Sequence, residues 1–158
     1  MINHRDKLSH VSVENVPSCL RKELENESHV AIAELVEDSV FELIGRDLGP
    51  YQLSLSKDDT KFVLRISCHQ GSQIATHMMS FRTLQRIIKD YKQICEALGT
   101  AKIGGLHPHR LEAIDMARRA LHNEGASLLR ERISSKVSVD FETARRLFTL
   151  VSVSMMGR

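Results

Sequence analysis

Tryptophan is absent from this 158-residue chain, and with two tyrosines and five phenylalanines the aromatic share is only 4%. Few flat side chains are available for bases to stack on, which counts against a single-stranded nucleic-acid surface. Cysteine is scarce as well. Cys19, Cys68 and Cys95 are odd in number, far apart and without a Cys-x-x-Cys pair. That spacing argues against a disulfide framework and a thiolate zinc site, and it suits a reducing cytoplasm. Long apolar runs are missing: the longest, LFTLVSVSMM, is about half of what spans a bilayer. The opening MINHRDKLSH has no apolar core of a secretory signal, so a cytoplasmic protein without a membrane segment is expected. Repeats, low-complexity tracts and long Pro/Gly/Ser linkers are also lacking, as are a phosphate-binding glycine loop, a Gly-x-Ser-x-Gly elbow and a His-Glu-x-x-His pair.

What is present is enough apolar material, 42% of residues, for one core, and the length suits a single domain over residues 1–158. Net charge is +2 but unevenly spread. Residues 1–60 hold 6 Lys/Arg against 12 Asp/Glu, and residues 61–158 hold 16 against 8. Such a split can hold the two parts together or steer an acidic partner to the second.

The chain divides into an N-terminal strand or arm (1–16), an acidic helical segment (17–46), a β-meander (50–79) and a helical part (80–158). HVSVENV alternates as a short strand does. From residue 18 to 38 the apolar residues recur at helical spacing, with Glu23, Glu25, Glu27 and Glu34 between them. VFELIGRDLGP reads as a connection. YQLSLS, KFVLRIS and IATHMMS alternate and are separated by the turns KDDT and HQGSQ, which makes a three-stranded antiparallel meander. Ser80 is a candidate N-cap for a helix that Gly99 would end near Leu98. A second helix is expected over residues 109–133, and Asp140 should cap a third. The fold class is therefore α+β: a small antiparallel meander of about three strands packed against one N-terminal and three C-terminal helices.

The segments SFRTLQRIIKDYKQICEA, RLEAIDMARRALHNEGASLLRER and VDFETARRLFTLV closely resemble a family of uncharacterised alphaproteobacterial proteins known by a placeholder name. VAIAELVEDS and GPYQLSLS are similar to it more loosely, so the resemblance covers most of the chain after about residue 30. It implies no activity, substrate or cofactor. This chain departs from the family's pattern at Ala97 and Leu98, where aromatics are usual, at Met155 and Met156 in place of His-Trp, and in the LHPHR loop.

The residues that draw attention lie in ALHNEGASLLRER, where three polar residues and a glycine interrupt an apolar stripe. Asp115, Arg119 and His122 share a helix face, Arg118 lies one turn before His122, and Glu124 projects nearer the stripe. Read as chemistry, His122 is an acid/base group oriented by Glu124 or Asp115, with arginines holding an anion. Read as structure, which is favoured, Asp115 and Arg119 form an i,i+4 pair and His122 and Asn123 hydrogen-bond a neighbouring element. Gly125 is expected where another backbone crosses closely, in preference to a helix break. In the last helix Glu142 and Arg146 should pair on a wet face, and Arg145 should cross to Glu124 or Asp115 so that its charge is not left alone.

Arg82, Arg86 and Lys89 form a basic ridge that could face nucleic acid but fits a solvated helix face better. His107 and His109 flank Pro108 in a glycine-rich loop, yet no coordination set accompanies them, so neither a metal nor a cofactor is expected. The reading that follows is a cytoplasmic, non-catalytic domain that recognises a macromolecular partner, a protein in preference to RNA, through a polar seam of Asp115, Arg118, Arg119, His122, Asn123, Glu124 and Arg145. The alternatives are a small-molecule enzyme using His122 and Glu124 with an arginine anion site, or an RNA-binding or RNA-processing protein.

Overall fold

Alternation of buried and open side chains along residues 51–66 sets the centre of the molecule. In the computed structural model, which describes residues 5–14, 22–58 and 60–155, β3 (Tyr51–Asp58), β4 (Lys61–Ser67) and β5 (Gln73–Ser80) form the expected antiparallel meander. Leu53 pairs with Ile66 and Leu55 with Leu64, so one face is continuously apolar. The opposite face carries Ser54, Ser56 and Arg65, and Arg65 donates to the Ser56 hydroxyl at 2.7 Å.

β1 (Leu8–Val13) adds a fourth strand, giving the order β1-β3-β4-β5. It starts two residues before HVSVENV, and Asn15 and Val16 lie outside the described residues. Its pairing with β3 is parallel, which the sequence reading did not anticipate. Parallel neighbours need a crossover connection, and α1 (Lys22–Glu37) supplies it, packing on both β1 and the last helix. Residues 18–21 of the expected acidic helix lie outside the described residues.

A second departure concerns VFEL, read as a connection. Its Phe41–Leu43 is a strand, β2, paired antiparallel with β6 (Val137–Val139). Phe41, Leu43, Val137 and Val139 all point into the core, so each three-residue strand buries two side chains of its own accord.

α2 runs from Phe81 to Ile103, with the Ser80 hydroxyl accepting from the Arg82 amide at 3.3 Å. It does not stop at Gly99. One glycine costs a helix interior about 1 kcal/mol relative to alanine, and the packing of α2 on α3 offsets that. The chain turns instead at Gly104 and Gly105, the latter at φ +68, a conformation that needs no side chain. α3 (Pro108–Ile133) begins with proline in its first turn, and α4 (Phe141–Met155) is capped by Asp140, whose Oδ1 accepts from the Thr143 amide at 2.9 Å. α4 is the central helix: α1 packs on one side and α3 on the other, while α1 and α3 scarcely touch.

Candidate functional site

Gly125 lies in unbroken helix and is buried, and a Cβ built there would fall inside the ring of Phe148. The close approach expected at this position is present, but what approaches is an aromatic side chain of α4, where a second backbone was anticipated. Phe148, fully buried, then meets His122 edge-on with ring centroids 5.2 Å apart and Tyr91 of α2 at 5.9 Å. Tyr91 and His122 complete the triangle at 5.5 Å. The missing side chain at Gly125 thus lets α4 press an aromatic ring onto α3 and fixes the imidazole one turn away.

His122 is only 7% exposed. Its Nε2 lies 2.8 Å from Thr149 Oγ1, and that hydroxyl also reaches the Arg145 carbonyl at 3.2 Å. Its Nδ1 is buried without a partner. Burial, reinforced by the positive charges of Arg145 and Arg118, pushes the imidazole pKa down to about 4, so the ring is neutral at neutral pH. Those two guanidinium groups are the charges that act on it. Burial also drives the Tyr91 phenol and the Cys95 thiol upward, keeping both protonated, and Arg118 interacts with the phenol oxygen.

Above this aromatic triangle opens a cleft of about 400 Å³. Its floor is one face of α4, Glu142, Arg145, Arg146 and Thr149, at i, i+3, i+4 and i+7. One wall is α3 with Arg118, Arg119 and His122, and the other is α1 with Glu27, Val30, Ala31 and Glu34. Tyr91 closes the inner end. Glu34 and Glu142 are exposed at the rim, whereas Glu27 is close enough to Tyr91 and Arg118 for its charge to act on both. Partial burial raises the Glu27 carboxyl, with Arg118 pulling the other way.

Of the residues singled out from sequence, the cleft gathers Arg118, Arg119, His122 and Arg145. Asp115 stands behind it, holding Arg118 at 2.9 Å and Arg119 at 3.0 Å, so the i,i+4 pair is present with an i,i+3 pair beside it. Asn123 and Glu124 are exposed and do not line the cleft, so Glu124 does not orient His122. The ring nitrogen finds a threonine of α4 because Thr149 occupies the position facing α3.

Arg145 is corrected too. It meets neither Glu124 nor Asp115 but Glu142 of its own helix, at 3.3 Å, with its side chain 37% exposed and its Nε buried and unpartnered. Solvent at the cleft mouth removes the need for a carboxylate across the helices. Glu142 does not pair with Arg146, whose guanidinium crosses to Glu34 at 2.9 Å and to the Asp38 carbonyl at 2.9 Å. Sequence reasoning missed the whole α1 wall, Tyr91 and Thr149. The spacing of Glu27 and Glu34, two turns apart on one helix, was the available signal.

Elsewhere, Arg82, Arg86 and Lys89 are exposed on α2. His107 and His109 stack with centroids 5.1 Å apart, and His107 Nδ1 accepts from the His109 amide, capping α3. Among the described residues no three His, Cys, Asp or Glu side chains are grouped to hold a metal ion, and no helix is long and apolar enough to cross a membrane.

These observations define an α+β domain in which, among the described residues, four helices surround a half-open cleft edged by charged side chains. The chain belongs to the uncharacterised protein family UPF0262, whose family model matches residues 5–156, as the resemblance of its helical segments implied. It is similar to the UPF0262 protein of Rhizobium meliloti (strain 1021), 50% identical over 131 residues that cover 83% of this chain and 82% of that protein. The UPF0262 protein of Agrobacterium fabrum is 47% identical over 131 residues, 83% of each chain, and that of Hyphomonas neptunium 44% over 134 residues, 85% of this chain and 82% of that protein. No solved structure matches.

Proposed function

We propose that this protein is a non-catalytic binding domain of the bacterial cytoplasm, and that its ligand is a small anion seated in the cleft against Arg118 and Arg145. The observation that carries this reading is the convergence at the inner end of two guanidinium groups, a neutral imidazole and a protonated phenol, with no carboxylate among the charges that act on the imidazole. Concavity supports a small ligand over the flat face of a macromolecule. The non-catalytic part rests on His122: a group with so weak a hold on a proton is a poor general base at neutral pH, and its partner is a hydroxyl. The free thiols Cys68 and Cys95 support a reducing compartment.

The test is thermal unfolding with succinate and with inorganic phosphate, each titrated to saturation. A ligand at about a hundred times its Kd stabilises by about 2.7 kcal/mol. The shift should vanish in an Arg118→Gln, Arg145→Gln double variant and persist in an Arg82→Gln, Arg86→Gln variant. Equal shifts in both variants would place anion binding outside the cleft.

A further inference from the structure

His122 is clamped while its neighbour Arg145 is not. Two ring contacts and a 2.8 Å hydrogen bond hold the imidazole, whereas a single 3.3 Å contact to an exposed carboxylate holds the guanidinium. Thr149 has one hydroxyl proton; turned to the Arg145 carbonyl, as the geometry allows, it leaves His122 Nε2 to carry the proton of their shared hydrogen bond. In that arrangement Nδ1 is a bare lone pair, buried and unpartnered, on a residue that lines the cleft. Arg145 Nε is a buried donor without an acceptor. Orphaned buried polar atoms are destabilising, and here two of opposite polarity lie on residues close enough for the charge of one to act on the other.

A fully ionised anion such as succinate satisfies the guanidinium but offers no proton to a lone pair. A hydroxyl beside the anionic group offers the missing proton. We infer that the inner end of the cleft selects anions that carry a hydroxyl group: Arg145 leaves Glu142 to take the anion together with Arg118, and the hydroxyl donates to His122 Nδ1. This rests on the anion-binding reading above and adds to it the chemical class of the ligand, a hydroxylated carboxylate or phosphate. The groups facing the imidazole are Arg118 on α3, Arg145 and Thr149 on α4, and Tyr91 on α2, with Glu27 of α1 across the cleft. None of them offers a second proton donor already aimed at Nδ1.

Calorimetric titration of two matched pairs at about pH 8, where phosphate monoesters have lost their own proton, tests the inference: malate against succinate, and glycerol 3-phosphate against n-propyl phosphate. The pair with the higher affinity identifies carboxylate or phosphate as the anion. Within that pair the hydroxylated member should bind about tenfold more tightly, the range of one hydrogen bond to a buried acceptor. The preference should collapse in Thr149→Val, which removes the group that sets the tautomer. Nitrogen-15 spectra should show an unprotonated His122 Nδ1 that shifts only with the hydroxylated ligands. Equal affinities within both pairs would overturn the inference and leave simple anion binding standing. Failure of all four probes to bind would remove both. A protonated Nδ1 in the free protein would overturn the tautomer on which the selection depends.

Discussion

The polar strip of α3 has two ends that behave in opposite ways. At the outer end Asp115 holds two arginines within its own helix, every charge has a partner, and the group is half-buried, with Arg119 open to solvent. At the inner end, one helical turn on from Arg118, His122 is buried, reaches a different helix, and leaves one nitrogen unused. The outer end is what charge patterning detects and is close to neutral for stability. The inner end looks unremarkable in sequence, a lone histidine, yet it is where burial makes each polar atom consequential. The difference teaches that the density of charge on a helix marks its solvated face, and that a site is better sought where a polar group has been buried with fewer partners than it can use.

Acid should break the inner end first. The native pKa of His122, about 4, lies below the 6.5 of an unfolded histidine, so the unfolded chain takes up the proton first as the pH falls. The stability associated with the neutral imidazole is complete above about pH 6.5 and is lost progressively toward pH 4, by about 3 kcal/mol in all. Urea unfolding of the wild type and of His122→Gln between pH 7 and pH 4 isolates this contribution, because the other titrating groups are common to both. The wild-type curve should fall more steeply, and parallel curves would show that the ring is not held neutral by its surroundings.

Next in size is the contact that positions the ring. Gly125→Ala adds a methyl group where the Phe148 ring already stands. Overpacking of this kind costs about 1–3 kcal/mol, against which the better helix propensity of alanine returns about 1. A net loss of up to about 2 kcal/mol is expected by chemical denaturation. The same substitution in a Phe148→Leu background should be nearly neutral, since the smaller side chain makes room, and a double-mutant cycle reads that coupling directly. Additive effects would mean that Gly125 and Phe148 do not constrain each other.

How much of this was legible in the sequence follows from the range of the interactions involved. The meander β3-β4-β5 was, because hairpin partners are neighbours in sequence and alternation fixes their buried face, and so were the caps Ser80 and Asp140, which act within three residues. The β2–β6 pairing was not, since its strands are three residues long and almost a hundred apart, and the parallel placement of β1 depends on a crossover. For the cleft, helical spacing put Arg118 and His122 on one face of α3 but could not say which helix that face meets. Arg145 was sent to the wrong carboxylate for that reason: its angular position was right, but the open cleft beside it had no sequence signature. Gly125 announced a close approach without revealing that a ring would make it.

The outer end supplies the smallest effect and the sharpest contrast. Asp115→Asn removes the carboxylate shared by Arg118 and Arg119, whose charges lower its pKa along with the Arg118 hydrogen bond. If half-exposed, locally satisfied pairs of this kind add little to stability, the urea midpoint at pH 7 should stay where it is in the wild type. Neutralising Asp115 also leaves Arg118 without its anchor beside Tyr91, so His122, which senses the Arg118 charge, becomes the reporter of any rearrangement. An unchanged midpoint together with an unchanged His122 titration would show the two ends of the strip to be independent. A lower midpoint would instead mean that the outer pairs brace the wall of the cleft, so that the boundary between solvated charge and buried site lies nearer Asp115 than Arg118.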